Sequence, residues 1–431
     1  MKEFSLKAFE YLPKYEKTVL ASGVRVVTEH HPQSRATSVG IFVDQGTRDE
    51  PEHMVGAAHF VEHMVFKGTK SRSAFEIAKS LESVGGDLNA YTSREYTCYH
   101  GTTLKENTDL SFEILADLIL NATMKSVDFV KEREVILQEI DMSTDLLEEY
   151  IFDKYFEDVY HGHSLGRSIL GTPQSLNGIK RKDLFDFYKH RYSGSKIIVA
   201  AAGHVNHDEI VKLAEKAFGR LKSKEKFPAR RAPKIKPFRE VYKKPSEQTH
   251  VLLGLPSTSY KDNLRFEAYI LNAVFGGGMT SRLYQNIREE LGLAYSVYSY
   301  LHSYSDTGLL MLYAASSSKN YPKVIEVFLK ELEKIRKRGI SRKELDFFKR
   351  QVTGSIILGA DDIENRMNSL GVNEMIFKKY RPVDVVLADI SQISKESVQE
   401  YIDQYLDPAH MGISIMGDVD RSLAEQYLSL C

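Results

Sequence analysis

Cysteine is nearly absent from this chain. Only Cys98 and the terminal Cys431 occur in 431 residues, which excludes a disulfide framework and a thiolate metal site. A metal would have to take nitrogen and oxygen donors, and such sparse usage suits a reducing compartment. An excess of one charge sign is missing too. With 58 Lys+Arg against 59 Asp+Glu, neither a dedicated nucleic-acid binder nor a globally basic membrane-surface protein is expected, and any charge selectivity has to be local. No apolar run is long enough to span a bilayer. The start, Met1-Lys2-Glu3-Phe4-Ser5-Leu6-Lys7, lacks the apolar core of a signal peptide and the Arg-rich, acid-poor character of a transit peptide. The expectation is a cytoplasmic protein.

At 431 residues and 42% apolar content, the chain exceeds the size at which one core usually stops growing, so two domains are expected. An internal echo supports this. Residues 183–205 (DLFDFYKHRYSGSKIIVAAAGHV) align without a gap on residues 397–419 (SVQEYIDQYLDPAHMGISIMGDV) at an offset of 417 − 203 = 214 positions. Phe187 falls on Tyr401, Tyr192 on Leu406, Val199 on Ile413 and Gly203 on Gly417. Each copy reads as an amphipathic helix, a turn, an alternating strand and a glycine turn, the mark of a duplication. Between the copies, residues 222–245 are rich in Lys, Arg and Pro without helical period, as expected of a solvated linker. The predicted domains are 1–221 and 246–431. Within the first, strands are predicted at 24–29, 37–43 and 87–103, and helices at 73–84, 110–120 and 127–141. The second repeats the flavour, with strands at 250–255 and 294–314 and helices at 264–275 and 322–338. This mixture gives an α+β class of two duplicated domains, each a largely antiparallel sheet covered by helices.

The chemistry concentrates in Gly56-Ala57-Ala58-His59-Phe60-Val61-Glu62-His63-Met64-Val65-Phe66-Lys67-Gly68-Thr69. On a helix, His59 and His63 at i and i+4 share a face, while Glu62 is aimed beside them. Two imidazoles and a carboxylate so placed form a zinc site with its own base. Val55, Ala58, Val61, Met64 and Val65 give that helix a core stripe, which a surface helix with incidental histidines would not need. A catalytic zinc takes three protein ligands and an open position, so one more donor must come from elsewhere. In Lys131-Glu132-Arg133-Glu134-Val135-Ile136-Leu137-Gln138-Glu139-Ile140, Glu132 and Glu139 lie seven apart on the face of Ile136. Spacing alone leaves open whether these acids serve the metal or a solvated face. Cys98 falls in an expected strand with no evident activating base, so a packed or merely exposed thiol is its expected role. The run Gly276-Gly277-Gly278 lacks the Gly-Lys-Ser/Thr ending of a phosphate loop.

The blocks HFVEHMVFKGT, GGDLNAYTSREYTCYH and EREVILQE together resemble the pitrilysin-type, inverzincin metallopeptidases, with the nearest likeness to bacterial relatives of the mitochondrial processing peptidase β subunit. The resemblance runs over nearly the whole chain. It implies that His59, His63 and Glu139 bind Zn2+, that Glu62 is the general base, and that Glu132 supports the site from behind. It also implies that Asn89 and Ala90 on an expected edge strand contact substrate backbone, and that Arg288 and Tyr295 in REELGLAY bind substrate and steady the developing oxyanion. Glu149 and Asp153, four apart, match the acidic pair that receives an arginine upstream of the cut. The family's more distal acidic pair has no evident match near residues 180–184. The resulting expectation is a zinc endopeptidase for peptides or unfolded polypeptide. Because this chain carries both the zinc motif and the Arg/Tyr pair, a homodimer with sites completed across subunits is expected. The alternatives are a non-catalytic assembly subunit of the same fold and an anion-binding scaffold using the basic linker.

Overall fold

A computed structural model describes residues 13–221 and 227–428. Residues 1–7 of the start, residues 222–226 of the basic linker and Cys431 lie outside the described residues.

Two sheets organise the chain. The first contains β1 (Lys14–Val19), β2 (Arg25–His30), β3 (Ala36–Val43), β4 (Asp87–Thr92), β5 (Thr97–Leu104) and β6 (Ile197–Gly203), in the order β1-β2-β6-β3-β5-β4. The second contains β7 (Phe238–Lys243), β8 (Gln248–Ser257), β9 (Ala294–Ser303), β10 (Gly308–Ser317) and β11 (Gly412–Gly417), in the order β7-β11-β8-β10-β9. Leaving out β1, the two orders correspond strand for strand. Each sheet has one parallel pair, β2 with β6 and β7 with β11, and is otherwise antiparallel.

The sequence echo marks equivalent places in this topology. Gly203 closes β6 opposite His30, and Gly417 closes β11 opposite Lys243. Their φ angles are 108° and 153°, and a Cβ would come within 2.2 Å of the Ala36 carbonyl oxygen or 2.9 Å of the Gln248 carbonyl oxygen. Both positions therefore demand glycine. Tyr192 and Leu406 end equivalent helices, their N–H groups donating to the carbonyls of Tyr188 and Ile402 at 3.1 and 3.0 Å.

Two expectations require correction. β6 is buried along its whole length rather than alternating, because helices cover both faces of the sheet. Part of the expected linker is structured: residues 238–243 form β7, and Arg230 is held by Asp44 and Asp49 at 3.1 and 2.7 Å. Proline-rich flanks hide this short strand from a period-based reading.

Compact packing also divides the chain differently from the sequential 1–221, 222–245 and 246–431 partition. One unit comprises Met1–Ile140, Ser168–Arg230 and Ile357–Asp384, the other Asp141–Arg167, Arg231–Ile356 and Val385–Cys431. In the first unit, the helix Ile363–Phe377 comes from the second half of the sequence and covers the face formed by Val27, Phe42, Cys98, Ile198, Ala200 and Ala202 with Met367 and Leu370. In the second unit, the helix Leu147–Val159 comes from the first half. Its Ile151, Tyr155 and Phe156 pack with Leu252, Leu309, Met311, Tyr313 and Met416. Both sheets are apolar on two faces and so need a second cover, which removes that surface from water at about 25 cal/mol per Å2.

The borrowed cover in the first unit fits closely. A Cβ on Gly371 would lie 2.2 Å from the Phe42 ring, and one on Gly40 would lie 2.2 Å from the Met367 sulfur. Replacing Gly371 by leucine should overpack this contact and destabilise the protein by about 1–3 kcal/mol, read as a lowered urea midpoint. An unchanged midpoint would count against close packing there.

Candidate metal centre

The motif helix, Ala57–Val65, buries Ala57, Ala58, Phe60, Val61, Met64 and Val65, leaving His59, Glu62 and His63 on its less buried side. Its N-terminus is fixed by a residue that sequence reading missed. The buried carboxylate of Glu50 accepts from the N–H groups of Gly56 at 2.9 Å and Ala58 at 2.6 Å. This satisfies donors that a helix start leaves unpaired. Glu50 stands six residues before Gly56, outside the short spacings of a capping box, so only the fold reveals it.

The second contributor is the helix Ser126–Asp145. Phe129 stacks on Phe60 with ring centroids 4.8 Å apart and planes at 9°, and Ile136 is fully buried. These contacts turn the face of Glu132 and Glu139 toward the motif helix. The two acids then separate. Glu132 has a side chain 8% exposed, and its Oε2 lies 3.2 Å from His63 Nδ1 while Oε1 pairs with Lys67 Nζ at 2.8 Å. Glu139 is 38% exposed, and its Oε2 lies 3.8 Å from His59 Nε2 and 3.5 Å from His63 Nε2.

His59, His63 and Glu139 are the one group of three or more His, Cys, Asp or Glu residues among the described residues whose donor atoms gather closely enough for a metal, all within 4.8 Å of one another. Bond lengths of about 2.0–2.1 Å in a tetrahedral zinc site separate ligand atoms by roughly 3.4 Å. The distances of 3.5 and 3.8 Å to Glu139 fit that size. Pairing of His63 Nδ1 with Glu132 leaves Nε2 as the ring's free lone pair, the tautomer that a metal requires.

Glu62, on the same helix, reaches β4, where its Oε2 accepts from Thr92 Oγ1. Burial raises its carboxyl above the usual range, against the opposing influence of the Thr92 hydroxyl and His63. A carboxylate of raised basicity beside a metal site is suited to taking a proton from water. Burial, followed by the proximity of His63, pushes His59 down to about 3.

The remaining expected site residues lie elsewhere. Asn89 and Ala90 sit on β4, the edge strand of the first sheet, and the Asn89 side chain accepts from the Ala90 N–H at 2.8 Å. Arg288 and Tyr295 belong to the second unit and are brought together: the guanidinium lies 4.3 Å from the Tyr295 ring centre and donates to its carbonyl at 3.3 Å. Tyr295 is the second residue of β9, an edge strand of the second sheet, and is 75% exposed. The segment before it is π-helical over Tyr284–Glu290. Glu149 and Asp153 are also in the second unit, on the helix Leu147–Val159, the first exposed and the second half-buried. Cys98 is buried in β5, and burial raises its thiol well above the ordinary value, so it is a packed thiol and no nucleophile.

The depressed His59 has a consequence for stability. Between about pH 3 and 6.5 the native ring stays neutral while the unfolded chain takes up a proton, so its contribution is full above 6.5 and is lost as pH falls toward 3. Metal-free protein should therefore have a urea midpoint that drops between pH 7 and pH 4, and His59→Asn should show a shallower drop. Equal slopes would contradict a buried neutral ring.

Comparison with known proteins places this architecture. Residues 25–173 match the family described as insulinase, peptidase family M16, and residues 178–352 match the family described as peptidase M16 inactive domain. The chain is 37% identical over 406 residues to an uncharacterised zinc protease of Mycobacterium leprae, covering 93% of this chain and 91% of that protein. It is 34% identical over 377 residues to the uncharacterised zinc protease YmxG of Bacillus subtilis, covering 88% and 92%. Among solved structures, a protease from Helicobacter pylori shares the fold with a TM-score of 0.86 at 23% identity, over 94% of this chain and 100% of that one. The peptidase M16 inactive domain from Pseudomonas fluorescens does so at 0.84 and 18% identity, over 94% and 98%. With both family matches falling in order along the chain and relatives similar over nearly its full length, this protein belongs to the pitrilysin-type metallopeptidases of family M16.

Proposed function

We propose that this chain is a zinc endopeptidase that hydrolyses peptides or extended polypeptide segments. The observation that carries the reading is the convergence of His59 Nε2, His63 Nε2 and Glu139 Oε2. A zinc ion held by these three groups would lower the pKa of a bound water to about 7 and polarise the scissile carbonyl. Glu62 takes the proton from the attacking water and later delivers it to the leaving amine. Glu132 orients His63 through Nδ1, and Lys67 balances the charge of Glu132.

Substrate is held in extended form. The edge position of β4 supports strand addition by a peptide, with Asn89 and Ala90 meeting its backbone. Such backbone contacts tolerate many side chains. Arg288 fixes a substrate carbonyl, and Tyr295 donates to the developing oxyanion. In a homodimer each zinc site would be completed by Arg288 and Tyr295 of the partner subunit. Glu149 and Asp153, one turn apart on their helix, favour a basic residue upstream of the cut. We place the protein in the cytoplasm. Among the described residues no helix is long and apolar enough to cross a membrane.

A non-catalytic assembly role has one point in its favour, the match of residues 178–352 to a family described as an inactive domain. That match lies outside the metal triad, which is intact. Glu62→Gln should lower kcat by about 10²–10⁴-fold while zinc stays bound, and chelation should abolish activity that zinc restores. Digestion of a peptide library should give internal cleavages enriched in an upstream Arg or Lys. Activity that survives both Glu62→Gln and chelator would remove the peptidase reading. A second test addresses sharing between subunits: a Glu62→Gln chain mixed with an Arg288→Ala, Tyr295→Phe chain should recover measurable activity. Verified heterodimers without recovery would place each site within one chain.

A further inference from the structure

The carboxylate of Glu62 has a single hydrogen-bond donor among the described residues, the hydroxyl of Thr92 at 2.5 Å. Thr92 is the last residue of β4, the edge strand. Strand alternation puts it on the same face as Leu88 and Ala90, both packed against the core that holds the motif helix. A hydroxyl has one proton to give. With that proton on Glu62, Thr92 can only accept from the neighbouring Thr97 hydroxyl, which lies 3.3 Å from Thr92 Oγ1 and 3.3 Å from the Gln45 carbonyl oxygen.

The end of β4 is clamped. In the turn that follows, the Ser93 N–H donates to the Tyr96 carbonyl at 2.8 Å, while the N–H groups of Thr47 and Arg48 donate to the carbonyls of Ser93 and Arg94 at 3.3 and 2.8 Å. Gly46 passes so near that a Cβ would meet the Arg94 carbonyl carbon at 2.4 Å. Arg48 pairs with the Glu95 carboxylate at 2.6 Å, and Arg230 donates to the Glu95 carbonyl at 2.6 Å. Thr92 is therefore delivered to Glu62 by a turn with little freedom to shift.

We propose that Thr92 is the positioning residue for Glu62. Its hydroxyl holds the carboxylate in the orientation that serves a peptide lying along β4, so one strand both receives the substrate and aims the base. This rests on Glu62 acting as the base. Loss of alignment lowers the rate of the chemical step without weakening substrate binding, since Thr92 meets the base and not the peptide.

The test compares wild type, Thr92→Val, Thr92→Ser and Glu62→Gln for kcat, KM, zinc content and thermal midpoint, using one cleaved peptide. Thr92→Val keeps the shape without the donor, and kcat should fall by about 10- to 100-fold. KM should stay within about twofold and zinc content should not change, because no metal-binding or substrate-binding group is altered. Thr92→Ser, which restores the hydroxyl, should return kcat to within about threefold of wild type. Should Thr92→Val not fold, Thr92→Cys, of similar size with a weak donor, is read in its place. An unaltered kcat in Thr92→Val, or equal losses in the Val and Ser variants with zinc lost or KM raised, would overturn the proposal. If wild type is active and Glu62→Gln is not, that failure falls on Thr92 alone. If wild type is inactive or indifferent to Glu62→Gln, the base assignment fails and this proposal falls with it.

Discussion

The candidate centre depends on the seating of one helix against another. Neither the motif helix nor the helix Ser126–Asp145 holds a complete donor set, and the donors meet because Phe60 stacks on Phe129 and Ile136 is driven into the core between the two glutamates. Apolar burial, worth about 1.5–3 kcal/mol for each large side chain, thus offsets the cost of crowding carboxylates and imidazoles together. Glu132 and Lys67 then relieve part of the electrostatic cost by pairing. Polar groups at the centre are arranged by their apolar neighbours.

The duplication gives the chain two topologically equivalent free edges, β4 in one sheet and β9 in the other. They have been put to different use. β4 ends beside the motif helix and offers backbone groups near Asn89 and Ala90, whereas β9 carries near its start an exposed tyrosine held under an arginine. A free edge is a liability in most sheets because it invites pairing with another chain. Under the proposed function, that liability would become the means of capturing an extended peptide.

Much of this was legible from residue patterns. His59 and His63 declare themselves because helical spacing converts sequence distance directly into shared orientation, and the echo at an offset of 417 − 203 = 214 residues exposes the repeat through its glycines. Glu132 and Glu139 could be placed on one face by spacing. Which of them faces the imidazole Nε2 atoms depends on how the helix is rotated against its neighbour, and that is a tertiary property. Glu50 and Thr92 left no trace, since a carboxylate or hydroxyl becomes informative only once the chain has brought it to a helix end or to another carboxylate. The strand β7 was concealed among prolines. The exchange of covering helices was equally hidden, because an amphipathic pattern states that a face is buried and says nothing of which sheet buries it.

That exchange joins with the repeat in a further way. The helix Leu147–Val159 follows Ser126–Asp145, and the helix Ile363–Phe377 follows Arg342–Ala360, with starts separated by 363 − 147 = 216 residues, close to the repeat offset. The traded segments are therefore counterparts, each lodged on the sheet of the opposite half. Reciprocal trading of identical segments is what two copies of a smaller protein do when they swap domains. Joined end to end, such a pair would yield a polypeptide of this kind. Neither half could then be cut away as an autonomous piece, because each would leave with the lid that belongs on the other.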